Sequence, residues 1–216
     1  MDTYTGVVTA GSPASRPAGA LVITKASVGP MDNNAYLLTA ESGERLLIDA
    51  ANDAASLLAL LEGAPLQTVL TTHQHRDHWQ ALAEVVRRTG ARTVAHPLDA
   101  PALPVPTDRP VEDGDTVTVG PIVLTIIHLR GHTPGGIAVR YDEPGGRTHL
   151  FTGDSLFPGG VGKTAGSAEF RSLMDDVQQR VFDVLPDDTW VYPGHGNDTT
   201  LGAERPHLTE WRERGW

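Results

Sequence analysis

Four side chains that could bind a metal ion lie close together in the sequence, at His73, His75, Asp77 and His78. They follow residues 68–72, an apolar run that is typical of a short buried strand, and they precede an amphipathic helical pattern. His73 and His75 point to the same side of an extended chain, because side chains alternate with period two. Imidazole and carboxylate together favour Zn²⁺ or Fe²⁺ over Mg²⁺ and Ca²⁺, which prefer oxygen ligands. The stretch therefore predicts a transition-metal site at a strand-to-helix turn.

Three further candidate ligands lie downstream, at His132, Asp154 and His195. Each stands beside a glycine and follows an apolar, strand-like run, so the backbone can turn sharply where the side chain is presented. A solvated, histidine-rich loop does not account for the same pattern in four separate segments. We therefore predict that all seven side chains meet in one cluster.

Composition excludes several classes of function. The chain has 216 residues, 39% hydrophobic and 20% charged, as expected of an ordinary soluble globular protein. Its net charge of −10, with scattered basic residues, argues against binding to nucleic acid. No apolar run is long enough to span a membrane and no secretory signal is recognisable, which makes the cytoplasm the expected location. The absence of cysteine excludes thiolate ligands and a cysteine nucleophile.

The pattern of elements predicts one α+β domain over residues 21–216, preceded by an irregular arm over residues 1–20, which are rich in Ala, Gly, Ser and Pro. Strand patterns fall into two groups, each mixed with helices, which favours a sandwich of two sheets with helices outside. A last helix is expected over residues 203–214. Trp211 and Trp216 are expected to pack either on the domain or in a homodimer interface.

Some polar residues outside the cluster also need an interpretation. Asp49 closes an apolar run, where a carboxylate requires hydrogen bonds. It is either a turn or cap residue for the following helix, or it orients the loop that carries the first histidines. His96 and His207 are expected to be solvated, and His128 and His149 to be sheet or surface residues.

The order His-x-His-x-Asp-His, followed by His132, Asp154 and His195, resembles the metallo-β-lactamase-fold hydrolases. The resemblance implies an αββα sandwich, in which two mixed β-sheets carry helices on their outer faces and the site lies at one edge of both sheets. It also implies two metal ions and a role near the site for Asp49. Carried over by position, the first ion is bound by His73, His75 and His132, the second by Asp77, His78 and His195, and Asp154 bridges both.

Within that family, residues 153–163 look most like the glyoxalase II branch, which hydrolyses thioesters of a low-molecular-weight thiol. Lys163 stands where that branch places a basic residue that holds the substrate; the alternative is an exposed lysine on a glycine-rich loop. Val161 replaces a cysteine of many relatives. Only residues 196–216 follow His195, so we expect the glutathione-binding C-terminal helical domain of full-length members to be missing.

The resemblance implies hydrolysis by a metal-bound hydroxide. Two metal ions about 3.5–4 Å apart lower the pKa of a shared water toward neutrality, and Asp77 or Asp154 would accept a hydrogen bond from it. A thiolate with a conjugate-acid pKa of about 8.5 leaves without a general acid, which favours a thioester or activated ester over an amide. The expected cofactor is two Zn²⁺ ions, with Fe²⁺ or a Zn/Fe pair as the alternatives.

The ligand residues alone do not distinguish a hydrolase from some other classes of function. Persulfide dioxygenases resemble the same branch and use one Fe²⁺ bound by two histidines and one aspartate, at positions matched by His73, His132 and Asp154. Residues 156–160 fit the hydrolase pattern better. Flavodiiron-type redox proteins replace the second histidine of the motif by glutamate, whereas this chain has His75. A metal-binding module without catalysis is disfavoured because every ligand position is filled.

Overall fold

The computed structural model describes residues 4–215. One sheet contains seven strands in chain order, antiparallel from the first to the fourth and parallel from the fourth to the seventh. These strands are β1 (Ala14–Ala18), β2 (Leu21–Val28), β3 (Asn33–Ala40), β4 (Arg45–Ile48), β5 (Thr68–Leu70), β6 (Arg92–Ala95) and β7 (Arg109–Pro110).

The following strands are β8 (Thr116–Val119), β9 (Ile122–His128), β10 (Ile137–Asp142), β11 (Thr148–Gly153), β12 (Leu156–Phe157), β13 (Gly160–Val161), β14 (Trp190–Pro193) and β15 (Thr199–Thr200). Six of them form the second sheet in the order β15-β14-β11-β10-β9-β8, while β12 and β13 form a separate hairpin. Only β11 and β14 pair in parallel within the described part of this sheet.

Helices cover the outer face of each sheet. The first sheet is covered by α1 (Ala54–Ala59) and α2 (Leu82–Thr89), which connect its parallel strands. The second is covered by α3 (Ser167–Val177), which continues as a π-helical turn over Gln178–Phe182, and by α4 (Leu201–Glu204) and α5 (Leu208–Arg214). Between residues 4 and 215 no helix is long and apolar enough to cross a membrane.

Three apolar layers explain this arrangement. Leu46 and Ile48 on β4 pack between the two sheets, while the alternating Leu47 packs outward against the helices of the first sheet. A third cluster joins the second sheet to α3, whose apolar stripe includes Leu173 and Val177. A strand that is buried on both faces has a continuous apolar sequence, as residues 46–48 have. The layers confirm the predicted αββα sandwich.

The strands also explain where the polar loops lie. β4 and β5 are parallel, so Asp49 and the loop that carries His73 emerge at the same edge of the first sheet. β11 is parallel to β14, and both run in the same direction as β9 because β10 is antiparallel to β9 and to β11. The segments that carry His132, Asp154 and His195 therefore leave the second sheet at one edge.

Two expectations about the ends of the chain are corrected. Within the predicted irregular arm, residues 14–18 form β1, because Gly19 adopts a φ of 58° in a tight turn that pairs Ala18 with Leu21; residues 1–3 lie outside the described part. The expected helix over residues 203–214 is divided between α4 and α5 by a 3₁₀ turn at Pro206, since proline has no N–H to continue the helix.

The two C-terminal tryptophans were expected on the domain or in an interface. Trp211 is 2% exposed and packs edge-on against Phe182, with ring centroids 6.2 Å apart, so its ring belongs to the core of this domain. Trp216 lies outside the described residues.

Candidate metal centre

The first group of donors consists of His73, His75 and His132, whose candidate ligand atoms all lie within 4.8 Å of one another. His75 Nδ1 is 2.9 Å from His132 Nε2. The two segments that carry these side chains follow β5 and β9 and so belong to different sheets. The structure thus brings together residues that are 57 positions apart.

The second group consists of Asp77, His78 and His195, again with candidate ligand atoms within 4.8 Å of one another. Asp77 and His78 lie in a 3₁₀ turn over Arg76–His78, which points both side chains toward the end of β14. His195 Nε2 is 3.2 Å from His78 Nε2 and 3.2 Å from Asp77 Oδ2.

Asp154 lies between the two groups. Its Oδ2 is 3.5 Å from His132 Nε2 in the first group and 3.4 Å from His195 Nε2 in the second. Its Oδ1 is 3.3 Å from His78 Nε2. One carboxylate therefore faces both groups, as a bridging ligand must.

The ring nitrogens that face the cluster are selected by hydrogen bonds on the other side of each ring. His132 Nδ1 lies 2.6 Å from the carbonyl oxygen of Lys163, and His195 Nδ1 lies 2.9 Å from that of Met31. A carbonyl oxygen only accepts, so each Nδ1 carries the proton. In a neutral ring the Nε2 lone pair then points into the cluster, which is the state that binds a metal ion.

Asp49 orients the loop of the first histidines. Its carboxylate accepts hydrogen bonds from the backbone N–H of Thr72 at 2.7 Å, from the Thr72 hydroxyl at 2.7 Å and from His78 Nδ1 at 2.8 Å. Since the Thr72 hydroxyl donates to Asp49, its oxygen is free to accept from His73 Nδ1 at 3.0 Å. The helix α1 is capped by Asp53, so Asp49 is not its cap, although Asp49 does turn the backbone with a φ of 58°.

Charge and burial in the cluster suit a divalent cation. Nε2 of His73 and Oδ1 of Asp154 are buried and make no hydrogen bond within the described part of the chain. Burial holds the pKa of His73 well below its ordinary value. Burial alone would raise the pKa of Asp154, but His195 and His78 outweigh it and hold that pKa well below its ordinary value. A bare imidazole nitrogen facing an ionised carboxylate fits Zn²⁺ or Fe²⁺.

Glycine is needed where the backbone passes closest to the donors. A Cβ on Gly194 would lie 2.2 Å from Asp154 Oδ1 and 2.6 Å from His78 Cε1. A Cβ on Gly162 would lie 1.7 Å from the carbonyl oxygen of Asp154. The glycines beside the candidate ligands therefore permit close packing around the cluster.

The sequence profile of the Metallo-beta-lactamase superfamily matches residues 28–198, which is most of the chain and includes all seven candidate ligands. The chain belongs to the metallo-beta-lactamase superfamily. Its His/Asp cluster is typical of the dinuclear metal sites of that superfamily.

Relatives within the superfamily include a hydroxyacylglutathione hydrolase of Fuscovulum blasticum, 38% identical over 168 residues. That match covers 76% of this chain, and the chain spans only 62% of the length of that hydrolase. Among solved structures, TTHA1623 in a di-iron-bound form is 34% identical with a TM-score of 0.69, covering 84% of this chain and 96% of that one. ETHE1 from Myxococcus xanthus is 26% identical with a TM-score of 0.77, covering 88% and 84% of the two chains.

Two polar residues beside this superfamily site were missed by the sequence patterns. Asn33 donates through Nδ2 to the carbonyl oxygen of Asp77 at 3.1 Å and to its Oδ2 at 3.0 Å. Asp99 is 1% exposed and accepts hydrogen bonds from the loops of both histidine segments of the first group. Nothing local marks Asn33, whereas Asp99 stands in a proline-rich loop where an acidic side chain that becomes buried needs several donors.

Lys163 lies beside the cluster through its backbone, since its carbonyl oxygen accepts from His132. Its side chain is exposed and lines an open cavity of about 540 Å³ together with Phe157, Gly160 and Arg214. The ring centroid of Phe157 is 6.3 Å from that of His195, so this cavity adjoins the candidate centre.

Of the histidines outside the cluster, one expectation is wrong. His96 is 5% exposed and stacks on His128, with ring centroids 4.0 Å apart, where solvation was expected. Its backbone position before Pro97 suggested a solvated loop, but the loop folds back on β9. His207 is 52% exposed, as expected, and His149 is buried in the second sheet with Nδ1 2.8 Å from the Tyr192 hydroxyl.

Proposed function

We propose that this chain is a metal-dependent hydrolase that cleaves a thioester of a small thiol, or a related activated ester, in the manner of glyoxalase II. The observation that carries the proposal is the position of Asp154, whose Oδ2 lies within 3.5 Å of a histidine nitrogen in each donor group. A carboxylate shared by two groups of imidazole and carboxylate ligands is suited to a pair of divalent ions.

The two groups define the proposed ligand set. His73, His75 and His132 would hold one ion, and Asp77, His78 and His195 would hold the other, with Asp154 bridging both. Imidazole and carboxylate donors favour Zn²⁺, Fe²⁺ or one of each. When bound, such ions activate water for attack and polarise the substrate carbonyl.

The chain supplies groups that hold and orient the attacking water. We assign this role to a carboxylate oxygen of Asp77 or Asp154, which both border the space between the histidine nitrogens. Asn33 keeps Asp77 in place through its two hydrogen bonds to that residue. Because an ionised carboxylate only accepts hydrogen bonds, it orients water with a lone pair toward the acyl carbon.

A thiol leaving group needs no proton donor from the site. A thiolate whose conjugate acid has a pKa of about 8.5 departs at neutral pH without a general acid, whereas an amine does not. Lys163, which lines the cavity beside the centre, would hold an anionic group of the substrate through its ammonium. The hydroxyacylglutathione hydrolase of Fuscovulum blasticum supports the thioester, although this chain spans only 62% of its length.

Metal analysis combined with two activity assays tests the proposal. Protein purified without added metal is analysed for zinc and iron, and hydrolysis of S-lactoyl thioesters is measured beside O₂ consumption on a thiol persulfide. A pair of bound ions with thioester turnover is the expected result. One iron per chain with O₂ consumption and no thioester turnover would replace the hydrolase by a persulfide dioxygenase that uses His73, His132 and Asp154.

A further inference from the structure

Each donor group is assembled from two segments that belong to different sheets. The first group combines the loop after β5 with the loop after β9, and the second combines the turn before α2 with the loop after β14. The distances within a group therefore depend on what ties its two segments together. In each group a buried carboxylate holds at least one of the two segments: Asp99 bonds to both segments of the first group, and Asp198 holds the His195 loop of the second.

Asp99 ties the segments of the first group. It follows β6 in the first sheet, is 1% exposed and accepts from the backbone N–H of Gln74 at 2.9 Å, between His73 and His75. The same carboxylate accepts from the Thr133 hydroxyl at 2.6 Å and from the backbone N–H of Gly135 at 2.7 Å, beside His132.

Asp198 ties the loop of His195 to the first sheet through Lys25. The ammonium of Lys25, on β2, donates to Asp198 Oδ1 at 2.6 Å and to the carbonyl oxygen of Gly196 at 2.7 Å. Both side chains of this ion pair are 0% exposed. Asp198 Oδ2 accepts from the Tyr4 hydroxyl at 2.7 Å and from Trp190 Nε1 at 2.9 Å.

A buried charge of this kind is stable only while its donors stay in place, so each network restricts the loop that it holds. Asp99 makes its bonds around His73, His75 and His132, and Asp198 makes its bonds around His195. The two networks share none of the hydrogen bonds described above.

We propose that Asp99 and Asp198 are independent positioning residues, each setting the affinity of a different metal position. Asp99 sets the affinity of the metal position formed by His73, His75 and His132. Asp198, together with Lys25, sets the affinity of the metal position that includes His195. This inference rests on the metal centre proposed above, and it assigns separate control of the two positions.

Matched isosteric substitutions test this proposal. Asp99→Asn and Asp198→Asn each remove one negative charge and one acceptor without changing side-chain volume. Zinc binding is measured stepwise by competition with a chromophoric chelator. Each variant is expected to weaken one of the two binding steps by about tenfold, the lower end of the effect of residues that orient metal ligands.

A His195→Ala background identifies which step each residue controls. In that background Asp198→Asn is expected to leave the affinity for the remaining zinc unchanged, because the metal position that Asp198 affects has already lost His195. Asp99→Asn is expected to weaken the binding of that remaining zinc by the same factor as in the parent protein. A general loss of stability would not produce this difference.

Two milder variants serve if the Asn variants fail to fold. Thr133→Val removes the hydroxyl that donates to Asp99, and Tyr4→Phe removes the hydroxyl that donates to Asp198. Each is expected to weaken the same step as the corresponding Asn variant by a smaller factor. Thermal unfolding of the metal-free proteins checks that the compared variants are folded.

Four results would overturn either this inference or the proposed function. Equal weakening of both steps by both substitutions, or an effect of Asp198→Asn in the His195→Ala background, would contradict independent positioning. A parent protein that binds no zinc or iron would remove the metal centre and this inference with it. Two metal steps with the expected pattern but no thioester turnover would overturn the proposed hydrolase and leave the positioning roles intact.

Discussion

Nε2 of His78 lies 3.2 Å from Nε2 of His195, although the two residues are 117 positions apart. Each ring directs its Nδ1 to an acceptor, in His78 the carboxylate of Asp49 and in His195 the carbonyl oxygen of Met31. Two neutral rings in this arrangement would point their Nε2 lone pairs at one another. A cation between them, either a proton or a metal ion, relieves that repulsion.

Proton release should therefore accompany metal binding. Burial lowers the pKa of His78, but Asp154 and Asp49 outweigh it and raise the pKa to about 10. Below that pH the metal-free ring carries a proton that the metal must displace, so zinc affinity at this position should rise about tenfold per pH unit near neutrality. Calorimetric titration in buffers of different ionisation enthalpy should show protons released on binding at pH 7. An affinity that does not change with pH would contradict this protonation state.

Replacement of Asp154 should remove metal and activity together. Asp154→Ala deletes the carboxylate that faces both donor groups, so metal affinity should fall by more than about 100-fold, beyond the usual effect of residues that only orient ligands. Elemental analysis after dialysis and turnover measure the two losses. Asp175→Ala, at a 53% exposed carboxylate on α3, is the control and should retain both. Full metal content with full turnover in Asp154→Ala would refute the assignment.

Asp49 should influence metal affinity without binding the metal in the proposed ligand set. Asp49→Asn places an amide where Thr72 and His78 both donate to a carboxylate, so it disturbs the orientation of the loop and of the His78 ring. We expect zinc affinity to fall by about 10–100-fold, measured by chelator competition. Asp53→Asn changes an exposed helix cap and should leave the affinity unchanged. Equal affinities in these two variants would argue that Asp49 has no positioning role.

The layer between α3 and the second sheet should contribute strongly to stability. Leu173 is 0% exposed within that layer, so Leu173→Ala should lower the free energy of unfolding by about 2–5 kcal/mol. Urea denaturation of the metal-free protein measures the change. Val184→Ala, at a 62% exposed position, should change it by no more than about 0.5 kcal/mol. Similar losses in both variants would show that this layer is not specifically packed.

Much of the fold could be predicted because its signals are local. The apolar runs that end at Asp49, at the His73 loop and at Asp154 are strands in the structure, and the order of elements is that of the predicted sandwich. β1 was missed because its sequence, ASRPA, lacks the β-branched and aromatic residues that mark strands; its pairing with β2 supplies the stability. The break in the C-terminal helix has a local signal, since Pro206 lies inside the expected helix.

The sequence by itself determined which atoms can bind a metal, since residue types fix the donors and strand ends fix where they emerge. Only the tertiary structure decided which nitrogen each ring presents and which buried carboxylates hold the loops. His132 and His195 are oriented by the carbonyl oxygens of Lys163 and Met31, 31 and 164 positions away. Every residue carries such a carbonyl, so no side-chain pattern marks these two, and only the packing of the two sheets brings them to the imidazole rings.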